Sequence, residues 1–594
     1  MQRVDLVSPA TAKESNCTTM NSVDFPQVAR RLRFLPTICI LALACFAVGC
    51  GGSSGSAGGG ETNIGASITS TNATTFTVGV AGSFAVIATG SPTPSISLSG
   101  TLPSGVTFAG SRQGTATLVG TPAAGTQGTY PLAITAQNGV GAAFVQDFTL
   151  TVNPPAPPAG IAFPLKRSAN NRYLVDQNDT PVLLLGDSPH SLLVLLDTTD
   201  MATYMADRHA HDFNAILVQV LCDQYTGGNA SGTTFDGIAP FTSGSSPSDY
   251  DISTPNPAYF ARLDSLVTMA AADGLVVFLD PVDTGGWTDT LENNGPTKAF
   301  NFGSFLGSRY KNSPNIVWQS GNDFQDWNTS ATDNNLAYQV MAGIASADTN
   351  HLQTIELNYK ESYSSQDTLL APALTLDASY TYFETYDEDI ASYNSSPTLP
   401  MFLTEANYEY ENDTGALPSP AGVFVLREQE YWTMTSGGTG QLYGNHYTWT
   451  FPSNWQNFLD SPGALEMADW IKVFNDVSWW QLVPDQSHQI VTAGYGTYNA
   501  GNLNLTTATY ATTAWNPNGS VAVVYDVAGN TLTVNLAKFS QAVYAEWYDP
   551  SEGMFITISG SPFPNSGSMQ FTPPGQNHDG DTDWVLVLDV NAVN

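Results

Sequence analysis

The apolar run Met401-Phe402-Leu403 leads through Thr404 into a carboxylate, Glu405, and three further acids follow at Glu409, Glu411 and Asp413. Some eighty residues earlier a similar run, Asn315-Ile316-Val317-Trp318-Gln319-Ser320-Gly321, leads into Asn322 and Asp323. Two carboxyl groups can cleave a glycosidic bond when one protonates the leaving oxygen while the other attacks the anomeric carbon or activates water. Asp323 and Glu405 are the candidate catalytic pair, with Asp326 as the rival acid and Glu409 as the rival nucleophile. Glu409 reads as a supporting or substrate-binding residue, and Glu411 and Asp413 as solvated members of a polar run.

Such a pair needs a frame that brings the ends of distant segments together. Between Leu165 and Pro484 eight β-type runs alternate with helical patterns: 182–187, 214–220, 275–281, 315–321, 352–358, 376–384, 401–407 and 440–446. Near-continuous apolar strands alternating with helices indicate a parallel sheet, and eight such units a (β/α)8 TIM barrel. In that fold the site forms at the C-terminal ends of the strands. The residues there are Asp187 and His190, Gln219, Asp280 and Trp287, Asn322, Glu356, Tyr382 and Glu384, and Tyr443, His446 and Trp449. This rim is rich in carboxylates, amides and rings and poor in cations, a set suited to sugars. Carboxylates and amides bind hydroxyls, and Trp287, Tyr382, Tyr443 and Trp449 are candidate stacking platforms. Asp187 reads equally well as the cap of the following helix.

Six segments in this order, "PVLLLGDSPHSL", "HDFNAILVQV", "AAADGLVVFLDP", "RYKNSPNIVWQSGND", "PMFLTEANYEYE" and "WTMTSGGTGQLYGNH", resemble the apiosidase-like glycoside hydrolases over residues 165–485. The resemblance implies a retaining mechanism with Asp323 as general acid/base and Glu405 as nucleophile, and a plant cell-wall glycan or other polysaccharide side chain as substrate. The family often places two glycines before its aspartate, where this chain has Gly321-Asn322.

The flanks are β-rich. Residues 62–153 are short Val/Thr/Phe runs split by Gly and Pro, the pattern of a β-sandwich, and their wording resembles the Ig-like modules of bacterial surface proteins. Residues 154–164 form a proline-rich linker. Residues 485–594 read as a second β-sandwich, similar to the collagen-binding type of domain that follows such barrels. Its "DGDTD" (579–583) lacks the distal glutamate of a calcium loop and reads as a polar turn.

Arg30, Arg31 and Arg33 precede the apolar stretch 34–48 and Gly49-Cys50. That is the form of an export signal, and "AVGC" resembles a lipobox with Ala47 in its usual leucine position. Segment 1–50 is therefore expected to direct export and lipidation at Cys50, with Met20 as an alternative start and 51–61 as a Gly/Ser tether. The expected location is the bacterial outer membrane or cell surface, with membrane contact only through the lipid.

Cys222 is the one cysteine beyond Cys50, which excludes an internal disulfide and a cysteine zinc site in the body. No HExxH motif, GxSxG nucleophile elbow or phosphate loop occurs, the one GxSxG spacing, Gly51–Gly55, being part of the Gly/Ser tether, so neither metal nor cofactor is expected. A formal charge of -35 disfavours nucleic acid. The expected protein is a monomeric exported glycoside hydrolase acting on polysaccharide or oligosaccharide. The rival reading is a non-catalytic surface protein that binds carbohydrate.

Overall fold

The structure, a computed structural model, describes residues 63–591 apart from 78–81, 111–112, 123–125, 127, 154–159, 360, 412–421, 500 and 502–504. The export segment with Cys50, the 51–61 tether, most of the proline-rich linker and Asp413 lie outside the described residues.

Residues 64–153 form two four-stranded sheets around one core that includes Val86, Leu118, Ile134 and Phe148. The strand Phe144–Asn153 shows why: Phe148, Leu150 and Val152 are buried and alternate with partly exposed Thr149 and Thr151, the two-residue period of a sheet with one wet face.

The central domain is a (β/α)8 barrel. Its strands are β1 (Leu184–Asp187), β2 (Ala215–Gln219), β3 (Val276–Asp280), β4 (Ile316–Gln319), β5 (Gln353–Thr354), β6 (Asp377–Thr381), β7 (Met401–Glu405) and β8 (Gly440–Tyr443). They pair in parallel from β5 through β4, β3, β2, β1, β8 and β7 to β6. The remaining seam, β5 to β6, is bridged by the amides of Thr375 and Leu376 donating to Gln353 O. The helices are α1 (Thr198–Ala210), α2 (Pro257–Ala272), α3 (Thr288–Tyr310), α4 (Ala331–Ala347), α5 (Thr385–Tyr393), α6 (Val423–Thr435) and α7 (Pro462–Asp476). Between β5 and β6 the place of a helix is taken by a short strand, Glu361–Tyr363, antiparallel to β6, and two 3-10 turns. Helix α1 is capped by Asp197, whose carboxylate accepts from Thr199 N and Asp200 N. Asp187 caps no helix.

Alternation along the strands layers the lumen. Leu217, Phe278, Val317, Ala378 and Phe402 form its apolar floor. Two residues further on, the same faces carry Gln219, Asp280, Gln319, Tyr380 and Thr404, so the floor is capped by a polar layer at the C-terminal mouth. The intervening Ile216, Val218, Val277, Leu279 and Trp318 face the outer helices.

The C-terminal domain has a six-stranded and a three-stranded sheet. In strand Val521–Asp526, Ala522 and Val524 pack between the two sheets, while Val523 and Tyr525 share a core with Leu426 and Trp432 of α6 and Met467 and Trp470 of α7. Across this seam Arg427 of α6, only 1% exposed, donates to Asp583 (2.9 Å), Asp581 (2.6 Å) and Glu466 (2.9 Å). The "DGDTD" turn therefore wraps a guanidinium. Removing one partner of a buried ion network leaves the others uncompensated. Arg427→Ala should lower unfolding free energy by about 3–5 kcal/mol, measured by urea denaturation; a change below about 1 kcal/mol would show that the network does not hold the seam.

Candidate active site

Asp323 and Glu405 emerge at opposite sides of the barrel mouth. Past β4 the chain turns through Gly321 (φ 146) and reaches Asp323 in the left-handed region (φ 50). A non-glycine residue there is sparsely populated and persists only when its surroundings fix it. Past Phe402, alternation alone would send Thr404 inward and Glu405 outward. However, the β6–β7 register jumps from Ser379↔Leu403 to Tyr380↔Glu405, bulging β7 at Thr404. The bulge re-aims Glu405 into the mouth alongside Thr404.

The two carboxyl groups meet at one phenol. Tyr380 Oη lies 2.9 Å from Asp323 Oδ1 and 2.8 Å from Glu405 Oε1. Those oxygens are thus no more than 5.7 Å apart, the two bonds laid end to end. A phenol has one proton to donate. When Tyr380 donates to one carboxylate, the other oxygen bonds to it only by bringing a proton of its own. Full hydrogen bonding of this trio therefore requires one acid and one carboxylate. The remaining donors divide evenly. Asp323 accepts from Tyr225 Oη at 2.9 Å and, at 3.4 Å, from Gln325 Nε2. Glu405 accepts from Tyr408 Oη at 2.9 Å and, at 3.4 Å, from Tyr382 Oη.

Burial raises the pKa of both groups, and for Glu405 the charges of Glu356, Asp323 and Glu411 add to it. Burial likewise pushes Glu411 up to about 7 and holds His190 down at about 4, neutral at pH 7. The phenols of Tyr380, Tyr382 and Tyr408 are held well above 10 by burial and remain donors.

These groups line a cavity of about 360 Å³ together with Asn322, Trp449 and Tyr359. Of the sequence-derived candidates, the structure brings Asp323, Glu405, His190, Asn322, Tyr382 and Trp449 to this cavity. Gln219 stands behind them, donating to Asn322 Oδ1 at 2.6 Å and 3.2 Å from His190 Nδ1.

The other candidates point elsewhere. Asp187 is fully buried against Tyr204 (2.6 Å) and Arg208 (3.3 Å). Asp280 is fully buried below the mouth and accepts from Val282 N. Trp287 is core, stacked on Tyr250. Glu384 is buried at the start of α5, and His446 packs edge-on to Trp449 behind the cavity wall. Glu409 is buried and accepts from Tyr443 Oη, Ser461 Oγ, Asn445 Nδ2 and Gly463 N, tying the loop after β7 to β8 and α7. It thus occupies Tyr443 as well, and neither reaches the cavity.

Glu411 is not the solvated acid expected from its polar run: it faces the cavity and accepts from Tyr382 Oη at 3.1 Å and Tyr408 N at 3.1 Å. Tyr225, Tyr380 and Tyr408 were not singled out from the sequence. The inward alternation Ala378-Tyr380-Tyr382 contained the signal for one of them. One His/Asp group among the described residues, Asp207, His211 and Asp460, has ligand atoms within 4.8 Å of one another. Its members have other contacts: Asp207 pairs with Arg208 (2.7 Å), and His211 Nε2 lies 3.2 Å from Asp460 Oδ1.

An eight-stranded barrel with a carboxyl pair at its mouth is the architecture of a glycoside hydrolase-like domain. The profile described as "Apiosidase-like, catalytic domain" matches residues 168–481, more than half of the chain, and the chain belongs to that family. Flanking matches are a "Putative Ig domain" at 64–153 and a "Putative collagen-binding domain of a collagenase" at 499–589. Among curated protein sequences none matches the chain. Similar solved structures include one described as a glycoside hydrolase (20% identity, TM-score 0.60), covering 72% of this chain and 97% of its own. Another is a glycoside hydrolase family 5 protein from Bacteroides vulgatus (21% identity, TM-score 0.60), covering 72% of this chain and 93% of its own. At these identities the likeness is one of fold.

Tyr380 donates to the charged form of the pair, which lowers its pKa values. Tyr380→Phe should therefore raise the titration of the Asp323–Glu405 pair by about 1 pH unit, read from carboxyl ¹³C shifts against pH. A titration unchanged from wild type would remove Tyr380 from the pair's electrostatics.

Proposed function

We propose that this protein is an exported retaining glycoside hydrolase in which Asp323 is the general acid/base and Glu405 the nucleophile. The observation that carries the reading is the shared Tyr380 hydroxyl. It keeps the nearest carboxyl oxygens within 5.7 Å of each other, short of the separation that an interposed water needs (about 6.5–9.5 Å) and compatible with direct attack on the anomeric carbon (about 5–5.5 Å). The one-proton requirement of the same trio supports a pair made of one acid and one carboxylate. Glu405, which closes β7 and is turned into the mouth by the bulge at Thr404, is the carboxylate that attacks C1. Asp323 holds the proton and delivers it to the departing oxygen, then takes one from water to release the sugar from Glu405.

The cavity also constrains the sugar. Asp323, Glu405 and Glu411 line it with no Lys or Arg among the described lining residues, and His190 is neutral at pH 7. A carboxylate-bearing sugar would be repelled here, so the reading is a neutral glycosyl unit, cleaved from a plant cell-wall glycan or another complex polysaccharide. The Arg-rich head, apolar stretch and Cys50 support export and lipid anchoring.

The test is a panel of neutral and uronic aryl glycosides and plant glycans. A neutral member should be cleaved with the anomeric configuration kept, followed by NMR. Asp323→Ala should slow turnover about 10²–10⁴-fold, and Glu405→Ala should abolish it except where azide takes the nucleophile's place. Inverted product from the wild type, or full activity in both variants, would overturn the assignment. For the anchor, radiolabelled fatty acid should enter the wild type and not Cys50→Ser.

A further inference from the structure

Below the cavity lies a third carboxyl group that the reaction scheme does not use. Glu356, just past β5, is 0% exposed and is absent from the cavity wall. Its Oε1 accepts from the backbone N–H of Asp323 at 2.9 Å and from Asn322 Nδ2 at 2.6 Å. Its Oε2 accepts from Thr404 Oγ1 at 3.1 Å and Gln319 Nε2 at 3.3 Å. One buried carboxyl thus grips both sides of the mouth: the left-handed turn bearing Asp323, and the bulged residue preceding Glu405. A second route reaches Glu405 from the same group. Asn322 Oδ1 lies 3.0 Å from His190 Nδ1, His190 Nε2 lies 2.9 Å from Tyr408 Oη, and Tyr408 donates to Glu405 Oε2.

We propose that Glu356 is a positioning residue for the Asp323–Glu405 pair, anchoring Asp323 in its strained backbone geometry and setting through its charge the pH range in which the pair works. The inference rests on the reading of Asp323 and Glu405 as the reacting carboxyls.

The groups that face Glu356 define the electrostatics. They are Asp323 past β4, Glu405 past β7, and the protonated phenols of Tyr380 and Tyr408; Gln319, Asn322 and Thr404 are neutral, as is His190 at pH 7, and Glu411 acts on Glu405 from the cavity side. No cation is among them. Burial, and then the charge of Asp323, push Glu356 up to about 8. Coupling between two titrating groups is reciprocal: an ionised Glu356 raises Asp323 and Glu405 in turn. Glu356 ionises on the alkaline side, and there its charge keeps the acid protonated to higher pH. Removing that charge must move the alkaline limb of the activity profile downward.

The experiment uses the full chain and the neutral glycoside that proves best in the panel above. Glu356→Gln keeps an oxygen to accept from Asp323 N and removes the charge. The alkaline limb of its kcat/KM–pH bell should shift to lower pH by about 1 unit, with the acid limb in place. Glu356→Leu removes the anchor as well, and kcat should fall about 100-fold or more with KM changed less than threefold. Circular dichroism and melting temperature establish that each variant is folded. If Glu356→Leu does not fold, the Gln profile decides alone. A Gln bell superimposable on wild type overturns the inference. Activity retained in Asp323→Ala and Glu405→Ala would instead overturn the proposed reaction, so the two failures are separately visible.

Discussion

The hydroxyl of Tyr380 can give its one proton to only one of the two carboxyl groups it touches. Around that constraint the barrel mouth is organised. Two acids of like charge, taken out of water, repel each other and favour a shared proton over two charges. The structure supports this state with tyrosines rather than cations: Tyr225 on Asp323, Tyr382 and Tyr408 on Glu405. Phenols supply hydrogen bonds without the full positive charge that would drive both acids to ionise. A lysine in place of any of them would favour the doubly ionised pair, which has no acid left to donate.

The arrangement depends on distant parts of the chain. Strands β4 and β7 are far apart in the hydrogen-bonded sheet, with β3, β2, β1 and β8 between them, and closure at the β5–β6 seam brings their ends into one mouth. The apolar floor of Leu217, Phe278, Val317 and Phe402 holds the polar layer above it. Beneath Asp323, Glu356 fastens the turn to β7 through Thr404. Outside the barrel, Glu409 ties the loop after β7 to β8 and α7. The four acids from Glu405 onward thus have different surroundings: Glu405 and Glu411 face the cavity, Glu409 braces the loop, and Asp413 lies beyond the described residues.

The eight strands were legible because a parallel sheet buried on both faces leaves apolar runs that alternate with helical patterns. The rim could be read in the same way, since residues after each run must surround one mouth. What alternation could not give was orientation. Glu405 points inward only because of the bulge at Thr404, and no residue type there announces a bulge. Asp187 resembles a rim carboxylate until Arg208 and Tyr204, a helix away in sequence, fold onto it. Trp287, singled out as a ring for stacking, is consumed by Tyr250. In each case the deciding contact comes from a segment whose distance along the chain hides it. Tyr380 is different: it was not singled out, yet its inward face follows from Ala378 two residues before by the period-two rule alone.

The seam clasped by Arg427 bears on how such a chain can be assembled over generations. The N-terminal sandwich has a core of its own, so it can be gained, lost or exchanged as a cassette. The C-terminal sandwich contributes Val523, Tyr525 and Val587 to the same core as Trp432 and Trp470, and "DGDTD" supplies the counter-charges for a barrel arginine. Inheritance must therefore treat barrel and C-terminal sandwich as one segment. Recombination between the two would separate a guanidinium from its acids, and the surviving half would keep an oily face with nothing to cover it.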